Sequence, residues 1–235
     1  PLAELEKRGN PSGKMPRRRG EWAGGQVRVM KEGEEAELLF FADSAAAFDP
    51  RIQKTAQAFA AVLRAAGVDA GTLGPDEVDS GHEARRIGEE GLFQQLRDQN
   101  LRALDKRRFQ RVVTADPHAF NALRHDYALE QPILHHSEVL AELLAAGKLP
   151  LQPLPDGRTY AFHDPCYLGR HNGVYEAPRR VLRALPGIRA VEMERCRNRS
   201  FCCGGGSLYL FREAEGERRM GELRLEMAER AGAQV

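Results

Sequence analysis

The chain has 235 residues, enough to bury a hydrophobic core without disulfide staples, and its 35 basic residues nearly balance 34 acidic ones for a formal charge of +1. That balance supplies no global field to draw in nucleic acid or an anionic membrane, and no apolar run approaches the roughly 18 residues a membrane helix needs. Four cysteines, Cys166, Cys196, Cys202 and Cys203, all fall in the last third of the chain, unlike the even spread of a secreted disulfide framework, so a reducing, cytoplasmic compartment is expected.

Residues 1–36 read as an N-terminal linker. Their core, GNPSGKMPRRRGEWAGG, is rich in Gly, Pro and polar residues, and the basic run Arg17, Arg18 and Arg19 is expected in solvent. The chain opens with Pro1 and enters this stretch at once, as a piece of a longer protein would. A short buried strand is predicted over 37–42, then a helix over 53–66, whose apolar spacing (Ala56, Phe59, Ala60, Leu63) ends at Gly67. Further helices are predicted over 91–106 and after Pro117, with strands at 112–114 and 133–134. A helix from Ser137 to Ala146 has Ser137 as its cap, Glu138 in its first turn and Gly147 as its stop. The prolines and glycine of 149–158 mark a boundary. Beyond it come a strand over 160–163, a helix over 177–184, a strand near 191–193 and a helix over 217–231. This alternation predicts an α/β fold with mainly parallel sheets.

The second half repeats the first. Val62-Leu-Arg-Ala65 ahead of Gly67-Val68 matches Val181-Leu-Arg-Ala184 ahead of Gly187-Ile188, which predicts two duplicated, Rossmann-like lobes.

Cys166 follows a strand through His163-Asp164-Pro165 and so stands at a strand's carboxyl end, where α/β sheets gather ligands. Cys202 and Cys203 precede Gly204, Gly205 and Gly206, whose backbone can take positive φ and whose amides can face sulfide or another anion. Soft thiolates in this setting point to iron–sulfur chemistry, although three are too few for a standard cluster and zinc spacing is absent.

The stretch HDPCYLGRHNGVYEAPRRVLRALPG followed by SFCCGGG resembles the cysteine-rich CCG domain of the heterodisulfide reductase B/D-like family. Within that family the layout is most similar to the C-terminal half of proteins passing electrons from electron-transfer flavoprotein to menaquinone. The resemblance implies a [4Fe-4S] cluster, noncubane in a complete site, with Cys166, Cys202 and Cys203 as metal ligands and Gly204 and Gly205 beside them. It also implies a closing C-x-x-C, which the repeat sends to positions just past Val235. In the first half the corresponding positions are Ser44, Asp79, Ser80, Asp116 and Ala119. Carboxylate oxygens are poor partners for such a cluster, so none is expected there.

The division that follows is a linker (1–36), a degenerate CCG lobe (37–148) and a cluster-bearing CCG lobe (159–235). The function implied is that of an oxidoreductase subunit carrying electrons between a flavoprotein-type donor and a quinone or disulfide acceptor. Its partners would be other redox subunits, electron-transfer flavoprotein, or a membrane-anchored segment of the same protein, placing it in the cytoplasm or at the cytoplasmic membrane face. Two alternatives stay open, a clusterless assembly module of a redox complex and a zinc protein using Cys166, Cys202, Cys203 and a histidine such as His163. Cys196 reads as a free thiol, His82 with Glu83 as a solvated loop, and Asp43, Asp49, Asp79 and Asp116 as turn or cap residues.

Overall fold

The computed structural model describes residues 1–154, 157–206, 208–209 and 218–234. The chain divides into two units, Pro1–His136 and Ser137–Val235.

The first unit opens with α1 (Leu2–Arg8), ended by Gly9 in the left-handed conformation, and two 3-10 turns at Pro16–Arg18 and Glu21–Ala23. Strand β1 (Arg28–Val29) follows, then β2 (Glu35–Phe40), α2 (Asp43–Phe48) and α3 (Pro50–Ala65). After these come β3 (Ala70–Thr72), α4 (His82–Arg86), α5 (Glu90–Leu104), β4 (Arg108–Thr114), α6 (Pro117–His125) and β5 (Ile133–His135). All neighbouring strands run parallel, in the order β1-β3-β2-β4-β5. β2 is central because Leu38, Leu39 and Phe40 are apolar on both sides of the pleat and can be covered from both faces. On one side Trp22 meets Phe40 edge-on at 5.0 Å and Phe40 meets Phe59 at 5.2 Å. A second cluster joins Leu39, Phe41, Phe93, Val112, Leu123 and Tyr127.

Residues 1–36 are therefore not a solvated linker. Leu5, Trp22 and Met30 are buried, and so is Arg19, the last of the basic run. Glycine at position 71 allows this, since a Cβ there would lie 2.3 Å from Met30 Cγ. β1 and β3 are not predicted from the sequence because strands of two and three residues, here Arg-Val and Ala-Gly-Thr, are too short to show a period.

Aspartates set two helix starts. Asp49 accepts from Arg51 N at 2.8 Å and Ile52 N at 3.3 Å, with Pro50 at the first helical position. Asp116 accepts from His118 N at 2.7 Å and Ala119 N at 3.3 Å, with Pro117 in the same role.

α7 (His136–Ala145) begins at the division between units, one residue earlier than expected, so Ser137 lies inside the helix rather than capping it. The second unit continues with β6 (Thr159–Ala161), α8 (Glu176–Ala184), β7 (Arg189–Val191) and α9 (Met220–Arg230). Glu217, the expected start of the last helix, lies outside the described residues. β6 and β7 pair in parallel, as β2 and β3 do, and the repeated Val-Leu-Arg-Ala tetrapeptides close α3 and α8 ahead of β3 and β7. Where two matching lobes were expected, the sheets differ: five strands in the first unit, two in the second among the described residues.

Candidate functional site

In the first unit the strand order reverses about β2, which has β3 on one side and β4 on the other, so the crevice at their carboxyl ends is the topological switch point. Ser44, Asp79 and Ser80, which the repeat sets opposite Cys166, Cys202 and Cys203, lie there. Ser44 Oγ donates to Asp79 Oδ2 at 2.6 Å and accepts from Arg19 Nη2 at 3.0 Å. Arg19 Nη1 donates to Glu77 Oε1 at 2.9 Å, and Nη2 also reaches Gly9 O at 3.0 Å. Glu77 accepts in turn from Ala42 N and Asp43 N, while Asp43 Oδ1 accepts from Ser44 N at 2.7 Å and Ser80 N at 3.1 Å. Gly81 N donates to Asp79 Oδ1 at 2.9 Å, a turn closed by the aspartate's own side chain. Asn100 and Tyr127 close the floor, Asn100 Nδ2 donating to Tyr127 OH and Tyr127 OH to Ser80 O, both at 3.0 Å.

The expected turn and cap roles appear for Asp49, Asp79 and Asp116, whereas Asp43 caps no helix and instead joins its own segment to the Ser80 amide 37 residues away. His82 differs from expectation: it is buried, stacked on His118 with ring centres 5.2 Å apart. Three features were invisible in the sequence. Arg19 looked like one of three equivalent basic residues, its partner Glu77 stands 58 positions away, and Asp43 adopts a positive φ of 57° that no neighbouring residue type announces.

Burial pushes the Asp43 carboxyl well above the usual range, and the nearby Asp79 and Asp116 push it further; a hydrogen bond with the Ser80 side chain and the charge of Arg19 pull the other way. Burial raises Asp79 and Glu77 as well. A carboxyl whose folded-state pKa is raised above its unfolded value lends stability that is whole at acidic pH and lost as pH rises through the folded pKa. The first unit should therefore lose stability toward alkaline pH, and Asp43→Asn, which keeps the acceptor oxygen and tolerates positive φ, should flatten that loss. Urea unfolding followed by Trp22 fluorescence at pH 5, 7 and 9 measures it; parallel declines in both proteins would refute the assignment.

In the second unit Cys166 stands on the loop leaving β6, past the strand's last residue, Ala161, and the turn behind it is closed by Leu168 N and Gly169 N on Pro165 O and His171 N on Cys166 O. All four cysteines are thiols: Cys166 and Cys196 are half-buried, Cys202 and Cys203 exposed. Burial pushes the Cys166 thiol up, and Cys202 and Cys203, both within electrostatic reach, push it in the same direction. Gly204 N donates to Cys202 Sγ at 3.4 Å. Gly204 has φ of 77°, and a Cβ there would stand 3.1 Å from Met220 Cβ, so glycine suits both the turn and the contact. Gly205 follows it in the chain.

Around the thiols stands a frame of buried arginines. Arg179 is held bidentately by Asp164 (2.6 and 2.8 Å) and by Glu192 (2.6 and 2.8 Å), tying α8 to the exits of β6 and β7. Asp164 Oδ2 also accepts Arg197 N at 2.7 Å, joining the Cys166 loop to the segment before Cys202. Arg224 of α9, buried, donates from Nε to His163 Nδ1 at 3.0 Å and from Nη1 to Arg195 O at 2.8 Å. Burial with the adjacent Arg224 charge lowers His163 to about 4, so it is neutral at physiological pH. Burial lowers Arg224 too, while Asp164, Cys196 and Cys203 raise it, which places a buried cation within electrostatic reach of the Cys203 sulfur.

With Cys202 and Cys203 within electrostatic reach of Cys166, three soft thiol donors, one already accepting a backbone N–H, fit a thiolate-bound iron–sulfur group by donor chemistry. As placed, no three His, Cys, Asp or Glu side chains among the described residues are close enough to hold a metal ion. His163 suits zinc poorly, because its Nδ1 already accepts from Arg224. No helix among the described residues is long and apolar enough to cross a membrane.

Comparison with known proteins sets this geometry in context. The chain is 42% identical to the probable iron-sulfur-binding oxidoreductase FadF of Bacillus subtilis, over 97% of this chain and 34% of that protein. It is 40% identical to the EtfAB:quinone oxidoreductase of Syntrophomonas wolfei, over 78% of this chain and 26% of that one. To a dihydromethanophenazine:CoB–CoM heterodisulfide reductase polypeptide of Methanosarcina barkeri it is 32% identical, over 84% of this chain and 49% of that polypeptide. The chain thus spans a quarter to a half of the length of these relatives. No solved structure matches it. The profile of the cysteine-rich CCG domain matches twice, at residues 41–124 and 160–235, one match over the Ser44–Asp79–Ser80 network and one over Cys166, Cys202 and Cys203, and the chain belongs to that family.

Proposed function

We propose that this chain is the CCG-domain part of an iron–sulfur electron-transfer oxidoreductase, in which Cys166, Cys202 and Cys203, with the Gly204-Gly205 backbone, hold part of a [4Fe-4S] cluster. The noncubane form is the one the family resemblance favours. The observation that carries this reading is the CCG-domain match over residues 160–235, which takes in Cys166, Cys202 and Cys203, with Gly204 N–H already directed at the Cys202 sulfur. The bound cluster would supply the one-electron chemistry. The protein's own residues shape its setting. Arg224 holds positive charge near Cys203, neutral His163 fixes that guanidinium, and Asp164 joins the two cysteine loops.

In this reading the second lobe works and the first is its degenerate copy, the two being duplicated Rossmann-like units. Arg19, Ser44, Asp79 and Glu77 fill the place where the first lobe's cluster would stand, and no cluster binds there. Electrons would pass between a flavoprotein-type donor, such as electron-transfer flavoprotein, and a quinone or disulfide acceptor. Other redox subunits, or a membrane-anchored segment of the same protein, would hold the chain at the cytoplasmic face of a membrane.

One observation favours a second reading, a clusterless assembly module: the described side chains do not close a ligand set. Anaerobic reconstitution with iron and sulfide separates the two, both in this chain and in one extended beyond Val235. Broad absorption near about 400 nm with bound iron is expected for the cluster. Cys203→Ser should abolish both signals, whereas Cys196→Ser should keep them. Colourless, iron-free protein in both lengths would leave the assembly role standing.

A further inference from the structure

Beside the cysteine loops of the second unit lies a cleft of about 500 Å³ lined by Arg170, Glu194, Arg195, Asn198 and Arg199. Three guanidinium groups face one carboxylate there. Elsewhere in this unit Arg179 is paired with Asp164 and Glu192, Arg197 with Glu176 and Arg230 with Glu226. Among the described residues neither Arg195 nor Arg199 pairs with a carboxylate.

The walls are fixed rather than loose. Arg170 is anchored by Nε on Asn198 O at 3.1 Å and Nη2 on Ser200 O at 2.7 Å, which binds the two sides of the cleft together. The Arg195 guanidinium lies over the Phe201 ring at 5.0 Å, and the 3-10 turn at Arg197–Arg199 is closed by Arg199 N on Cys196 O at 3.1 Å. An arginine fork is matched to the paired oxygens of carboxylate and phosphate, and charge-assisted bonds of this kind are the strong ones. The volume falls within the range of small-molecule sites, roughly 300–1,000 Å³. A concave pocket of that size suits a small ligand better than the face of an acidic protein.

We propose that this cleft is a binding site for a small organic anion, its carboxylate or phosphate head held by Arg195 and Arg199. Arg170 forms the rigid wall, and Asn198 and Glu194 face the ligand's uncharged polar end. The site does not depend on the electron-transfer reading, because every residue in it is present without iron. By position it would nevertheless act on the cluster loops, since Arg170 lies on the Cys166 loop and Arg199 shortly before Cys202.

Isothermal titration of the iron-free chain at fixed ionic strength tests it, with inorganic phosphate, citrate and polyglutamate as probes. Constant ionic strength separates site binding from general screening. Saturable one-to-one binding of phosphate or citrate is expected, the stronger of the two naming the head group. The Arg195→Ala/Arg199→Ala double variant should weaken it about tenfold or more, and Glu194→Gln should strengthen it. Arg183→Ala, an exposed arginine outside the cleft, should leave it unchanged. Should the alanine pair fail to fold, Arg199→Glu carries the same expectation, while Arg195→Lys/Arg199→Lys should retain part of the affinity. Absence of saturable binding, binding indifferent to these changes, or response to polyglutamate alone would overturn the proposal.

Discussion

Arg19→Ala is expected to cost the first unit about 3–5 kcal/mol, because it strands a buried carboxylate in place of an ion pair. Glu77 would keep the N–H groups of Ala42 and Asp43 but lose the guanidinium that pairs with it, and Gly9 O and Ser44 Oγ would lose a donor. Trp22 is the single tryptophan, buried against Phe40 within the same unit, so the midpoint of its fluorescence change in urea reports this unit directly. Arg19→Lys should recover little, since one ammonium cannot reach Glu77, Gly9 and Ser44 in the fork geometry of the guanidinium. Arg19→Met with Glu77→Gln should recover much of the loss, because the penalty lies in the unpaired charge rather than in the missing attraction. If Arg19→Ala shifts the midpoint no more than an exposed Arg17→Ala, the network is not what holds the N-terminal segment down.

That network marks where sequence reading succeeded and where it stopped. The helices over 50–65, 90–104 and 117–125 and the central strands were legible, because apolar spacing over more than a turn or two is a physical consequence of burying one face. The repeat was legible for the same reason, through helix ends and the glycines after them. It set Ser44, Asp79 and Ser80 opposite Cys166, Cys202 and Cys203. What local pattern could not contain was the partner of a charge. Arg19 is one of three successive arginines, and only the fold distinguishes it from Arg17 and Arg18, which stay in solvent. The same holds for Arg224 on the last helix, which looks like a surface residue until α9 presents it to His163. The cysteines themselves were found by residue type and spacing; the frame that positions them came from contacts 13 to 61 residues apart.

Arg179 carries the second large effect, and it links that frame to the proposed centre. Arg179→Ala removes a buried guanidinium from two carboxylates and from Tyr175 O at 2.9 Å, leaving the buried Asp164 without its bidentate partner and dependent on the Arg197 amide. A loss of about 3–5 kcal/mol is expected for the second unit, as for other broken buried pairs. Hydrogen exchange over residues 159–200 reads it without interference from the first unit. The pH dependence has the opposite sign to that of Asp43. Burial pushes the Asp164 carboxyl up, but Arg179 and the Arg197 amide outweigh burial and hold it below its usual value. Stability from a depressed carboxyl is present above its unfolded pKa and lost as pH falls through the folded one, so protection in the wild-type second unit should fade under acid. In Arg179→Ala that acid-dependent step should shrink, since the group that depressed Asp164 is gone. Cys166 lies just beyond Asp164 and Arg197 just before Cys202, so a centre spanning both loops should also lose iron in this variant at a pH and temperature where α8 still exchanges slowly. Iron retained at full stoichiometry alongside lost protection would separate the ion-pair frame from the cysteine site and restrict Arg179 to a role in folding.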